Sequence, residues 1–125
     1  MLKRIYLSGP ITNIPELNRP AFDAAEKRLT ASGHFVINPV NISVTFGTEE
    51  ELAKSFIALY DDRPFGSLEY SPKLAHAVMD ADLAAVHSCD AIYLLRGWET
   101  SRGAKKELAE ALKYGLQVMQ EGDAK

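Results

Sequence analysis

The chain has 125 residues and a mass of 13.8 kDa, with 46% hydrophobic and 25% charged side chains. That is the balance of one globular domain, and it excludes a disordered, collagen-like or coiled-coil chain. The net charge of −3, from 14 basic and 17 acidic residues, argues against binding a nucleic acid polymer through a basic face, though not against a small nucleotide.

Cys89 is the single cysteine, so no internal disulfide forms, which fits a reducing cytoplasm. No apolar run nears the ~20 residues that span a bilayer. The start, MLKR, is followed by an apolar run too short for a signal peptide. A soluble, cytoplasmic protein with no membrane partner is expected.

Residues 3–8 (KRIYLS) read as a short buried strand, halted by Gly9-Pro10. A loop follows, then a helix with Asn18 as N-cap and Pro20 in its first turn, where a missing N–H costs nothing. Phe22, Ala25 and Leu29 recur at helical spacing, and Gly33 supplies the stop. Residues 34–38 (HFVIN) form a second strand, ended by Pro39. Residues 40–70 are the least legible. Thr48 with Glu51 makes a capping box before a short helix striped by Leu52, Phe56 and Leu59, and residues 61–70 (DDRPFGSLEY) are turn-rich. So long a connection is more often a lid or binding loop than a bare linker.

Ser71-Pro72 opens the next helix, with Ala75, Val78, Asp82, Ala85, Val86 and Cys89 along one face. Residues 90–95 (DAIYLL) form a third strand, followed by a loop at 97–99. Ser101 caps a helix carrying Ala104, Leu108, Ala111, Leu112 and Gly115, and residues 116–120 (LQVMQ) form a fourth strand. Apolar strands alternating with amphipathic helices imply a single α/β domain over 1–125, a flavodoxin-like three-layer α/β/α arrangement whose parallel sheet has strand order 2-1-3-4. Residues 40–70 form its lid or insertion.

In such sheets ligands bind outside the carboxyl ends of the strands, where the strand order switches. That directs attention to the loop Ser8-Gly9-Pro10-Ile11-Thr12-Asn13 and to residues 96–103. The first loop carries one glycine, so it is neither a dinucleotide fingerprint nor a P-loop. It is either a strand-ending turn or a place where backbone approaches a ligand. In the second, Ser101-Arg102-Gly103 opens a helix whose free N–H groups favour an anion. Glu107 lies six residues on, roughly 9 Å along the axis, between the small residues Ala104 and Ala111 on the same face. It is either a solvated helix glutamate or a carboxylate open to a ligand. Asp82 interrupts an apolar stripe, so it reaches water at the stripe's edge, caps a neighbouring loop, or marks a site. Two carboxylates from helices flanking one strand can converge at its carboxyl end, an arrangement suited to acid/base or nucleophilic chemistry on a sugar. Tyr6 is a core aromatic or a phenol that orients one of them. Trp98 stacks on a base or plugs its loop. The three histidines and Cys89 show no metal-ligand spacing, and neither a metal nor a cofactor is expected.

The opening IYLSGPITN and the block MDADLAAVHSCDAIYLLRGWETSRGAKKELAEALKYG resemble the nucleoside 2-deoxyribosyltransferase-like superfamily. Within it the chain resembles a small group common in phages and prophages, and it is similar to the deoxynucleoside 5′-monophosphate N-glycosidases. The resemblance spans nearly the whole chain except residues 40–70. It implies cleavage or exchange of an N-glycosidic bond through a glutamyl glycosyl-enzyme intermediate. It further implies Glu107 as nucleophile, Asp82 acting on the departing base or a sugar hydroxyl, Tyr6 holding the glutamate, and Ser101 near the sugar 5′ position. Ser8, Gly9, Pro10, Asn13, Trp98, Ser101 and Gly103 are the expected substrate contacts. The monophosphate enzymes carry a serine and an arginine where this chain has Pro10 and Thr12, so a free nucleoside is at least as fitting as a 5′-monophosphate. The resemblance also implies a homo-oligomer, with the site near a subunit interface. Two other functions fit the same loops: a non-catalytic protein that sequesters a nucleotide, and a glycosidase acting on NAD or a cyclic ADP-ribose.

Overall fold

The computed structural model describes residues 2–12, 14–60 and 71–122. Four strands, β1 (Arg4–Ser8), β2 (Phe35–Ile37), β3 (Ala91–Leu94) and β4 (Gln117–Gln120), form one parallel sheet in the order 2-1-3-4. The helices are α1 (Arg19–Ala31), α2 (Pro39–Ser43), α3 (Glu49–Leu59), α4 (Lys73–His87) and α5 (Arg102–Lys113). This is the flavodoxin-like α/β fold expected from the sequence.

The alternation of side chains along β1 divides the core. Ile5 and Leu7 pack with Phe22 and Ala25 of α1 and Val40 of α2. Tyr6 faces the other way, with Ile92 and Leu94 of β3, Val86 of α4 and Ala111 of α5. Ser8 lies two residues beyond Tyr6 and is fully buried on that second side. A third cluster joins Leu52 and Phe56 of α3 to Ala75 and Val78 of α4.

Local signals place most boundaries. Thr48 and Glu51 form the reciprocal capping box at α3, and the Ser101 hydroxyl accepts the Ala104 N–H at α5. Gly33 follows α1 at φ +94°, a left-handed conformation that glycine adopts without strain. Three details differ from expectation. Asn18 stands at the start of α1 but makes no capping bond; its side-chain amide donates to the Pro10 carbonyl, because Asn18 is itself left-handed at φ 58°. Before α4 the Ser71 hydroxyl accepts the Lys73 N–H, and Pro72 takes the cap position without a side-chain bond. Pro39 does not simply end β2. It begins α2, capped by the Asn38 side chain, which accepts the Val40 N–H. Residues 61–70, part of the expected lid, lie outside the described residues.

Candidate active site

α5 sets the position of Glu107. Its buried face consists of Ala104, Glu107 and Ala111, and the two alanines bring the helix close enough for the glutamate to meet β1. The Tyr6 hydroxyl donates to Glu107 Oε2 at 2.8 Å, and the Ser8 hydroxyl donates to Oε1 at 2.6 Å. Tyr6 and Ser8 are alternate residues of one strand and so share a face. Glu107 as a residue is 6% exposed.

Asp82 comes from α4, where Val78 and Val86 are its buried neighbours on the same face. It is 5% exposed, and its Oδ1 is the one buried side-chain polar atom without a hydrogen-bond partner among the described residues. Burial pushes its carboxyl up to about 9, and the charge of Glu107 adds to the push. Burial also raises Glu107, to about 7, against the pull of the Ser8 and Tyr6 hydroxyls on its charged form. The two acids form a coupled pair. The donors on Glu107 and their lack on Asp82 Oδ1 decide its polarity: the negative charge rests on Glu107 and the proton on Asp82. Burial, reinforced by both carboxylates, raises Tyr6 well above its ordinary value, so it remains a neutral donor.

Asp82 and Glu107 line a recess of about 40 Å³ together with Gly9, Thr12, Tyr60, Ser101 and Gly103. Ile11, Thr12, Tyr60 and Ser101 also line an adjoining cavity of about 430 Å³, which Pro10, Thr100 and Arg102 help to enclose. The larger cavity falls in the range that takes small ligands. The recess has room for a water molecule or a reacting group. Both sit at the carboxyl ends of β1 and β3, beside the switch in strand order.

The structure thus gathers Glu107, Asp82, Tyr6, Ser8, Gly9, Pro10, Ser101 and Gly103 around one site. Ser8 contacts Glu107. Gly9 is a packing requirement, since a Cβ there would come 2.8 Å from Leu95 Cβ. Trp98 lines neither cavity; it packs half-buried on the Tyr6 side of the core, as a plug for its loop would. Asn13 lies outside the described residues. Tyr60 was not foreseen. It follows α3, its ring lies under the Arg102 guanidinium at 5.6 Å, and its carbonyl accepts from Arg102 Nη1. No local pattern marks it, because the contact is made across 42 residues. No group of three or more metal-ligating side chains occurs among the described residues, and no described helix is long and apolar enough to cross a membrane.

Residues 3–62 and 68–120 match a family described as a domain of unknown function, DUF4406. The chain belongs to that family. No curated protein matches it. Among solved structures it is similar to a 2-deoxyribosyltransferase from the psychrotolerant bacterium Bacillus psychrosaccharolyticus, at 22% identity and a TM-score of 0.55, over 98% of this chain and 76% of that one. At that identity the likeness is one of fold.

Proposed function

We propose that this DUF4406 member cleaves or exchanges the N-glycosidic bond of a (deoxy)nucleoside or nucleotide, with Glu107 as nucleophile, Asp82 as proton donor and Tyr6 as orienting group. The observation that carries the reading is the buried pair itself. One recess holds a hydrogen-bonded, charged carboxylate and an unpartnered, protonated carboxyl, which are the two states that glycosyl transfer requires. The fold shared with a 2-deoxyribosyltransferase supports it.

In the first step a Glu107 oxygen bonds to the anomeric carbon as the C1′–N bond breaks. The bond's electron pair leaves with the base, and Asp82 supplies the proton that neutralises it. The ester between Glu107 and the sugar is then opened at C1′ by water or by a second base. Asp82, now a carboxylate, takes up the proton released, and Glu107 is freed. Water gives hydrolysis; a base gives transfer. Phe56 and Tyr60, from the 40–70 stretch, form part of the recess wall, which supports that stretch as the element that closes the site. A homo-oligomeric, cytoplasmic protein, of the kind carried by phages and prophages, belongs to the same proposal.

The test is base release from a panel of nucleosides and 5′-monophosphates, followed by chromatography. Glu107→Gln should lower the rate about a thousandfold or more, and mass spectrometry of quenched wild-type protein should find the sugar on Glu107. Release at the wild-type rate by Glu107→Gln would sink the assignment. Tight ligand binding without turnover would favour the sequestering protein instead.

A further inference from the structure

We infer that Ser8 is a positioning residue: with Tyr6 it forms a two-donor cradle that fixes the Glu107 carboxylate on both of its oxygens. The inference rests on the proposed role of Glu107, but its geometry stands apart from it. The terminal torsion of a glutamate is broad and nearly two-fold, so one hydrogen bond leaves the carboxylate free to swing. Here each oxygen has its own donor, Ser8 on Oε1 at 2.6 Å and Tyr6 on Oε2 at 2.8 Å. Both donors stand on β1, both are fully buried, and both project from the same face of the strand. A length of 2.6 Å is that of a hydroxyl donating to a charged acceptor.

Ser8 ends β1, where its carbonyl accepts the Leu95 N–H at 2.8 Å, so the hydroxyl is anchored by the sheet rather than by a loop. Neither cavity counts Ser8 among its lining residues. It therefore acts on a substrate only through Glu107, unlike Ser101, which lines both cavities. The ionisable groups that face Glu107 are Tyr6 from β1, Asp82 from α4 and Tyr60 at the end of α3. None of them holds Oε1: Tyr6 is engaged with Oε2, and Asp82 and Tyr60 make no hydrogen bond to Glu107.

Ser8→Ala and the graded donor Ser8→Cys test this, using carboxyl carbon NMR titration of Glu107 in an Asp82→Asn background where Glu107 titrates alone. Loss of the hydroxyl should move the Glu107 midpoint up by about one pH unit, with Ser8→Cys between the two. In the base-release assay on otherwise wild-type protein, kcat at pH 7 should fall about tenfold, the scale of a hydrogen bond to a charged group, with KM nearly unchanged. An unmoved midpoint in either folded variant overturns the inference, and so does a raised KM at unchanged kcat, which would make Ser8 a substrate contact. Should Ser8→Ala fail to fold, Ser8→Cys decides by the same midpoint. If wild-type protein releases no base, the functional proposal falls, while the titration still judges the cradle.

Discussion

Asp82 holds a proton that an exposed aspartate would lose, and this has a cost that can be measured. The folded chain binds that proton more tightly than the unfolded chain does, because burial and Glu107 raise the folded value to about 9. Stability is therefore full below the ordinary carboxylate range and falls as pH rises through neutrality towards 9. Asp82→Asn removes the titrating group. It should raise stability by about 2 kcal/mol at pH 8, measured by urea unfolding, with the gain shrinking to nothing near pH 4. A gain independent of pH would show that Asp82 is not held protonated. On the proposed mechanism, base release should fall sharply but measurably in the same variant. The local pattern singled out both carboxylates without settling them: Asp82 interrupts an apolar stripe and Glu107 sits between two small residues on a helix opened by Ser101, but a solvated side chain fitted each as well, and the family resemblance chose between the readings. The partners of Glu107 were only half legible. Tyr6 was named as an orienting phenol, but Ser8 was read as a substrate contact, since nothing local tells a strand-end hydroxyl whether it will face a ligand or a neighbouring helix.

Elements were most legible where a side chain closes its own backbone. The capping box at Thr48 and Glu51 and the cap at Ser101 are contacts within three residues, so the sequence contains the whole interaction. α2 was missed because five residues starting with proline carry no helical period. Its cap, Asn38, also draws on α1, donating to Asp23 Oδ1 and Glu26 Oε1, which are far away in sequence. Tyr60 escaped for the same reason. The loop after β1 was read as either a turn or a ligand approach, and Gly9 resolves the packing half of that question. A Cβ at Gly9 would press on Leu95 Cβ, an atom fixed to the backbone just after β3. Gly9→Ala must therefore push the loop from the sheet. It should cost about 1–3 kcal/mol, the usual scale of overpacking, read as a lower urea midpoint at unchanged slope. Wild-type stability would mean that the loop yields freely and does not hold the recess in shape.

At the scale of the whole molecule, the strand order was legible because parallel crossovers have one hand and leave few arrangements. That order alone put the site at the carboxyl ends of β1 and β3. What topology could not supply is the pairing of the acids, which arises only when α4 and α5 lie side by side on the sheet. Their shared environment dictates a pH profile. In the proposed reaction Glu107 attacks as the ionised carboxylate, so turnover should rise as pH increases through about 7. In the same proposal Asp82 carries the proton to the base, so turnover should fall as pH passes about 9. The two limbs belong to the pair, because the charge that forms on Glu107 at the first raises the affinity of Asp82 for the proton lost at the second. Changing Asp82 to Asn should thus do more than lower the rate. Asp82 is still protonated while Glu107 ionises, so a neutral asparagine leaves that step nearly as it was, and the residual activity should lose its alkaline limb while its acid limb stays near 7. A bell that keeps both limbs in Asp82→Asn would mean that other groups carry the protons, and a flat profile in the wild type would remove the pair from the mechanism.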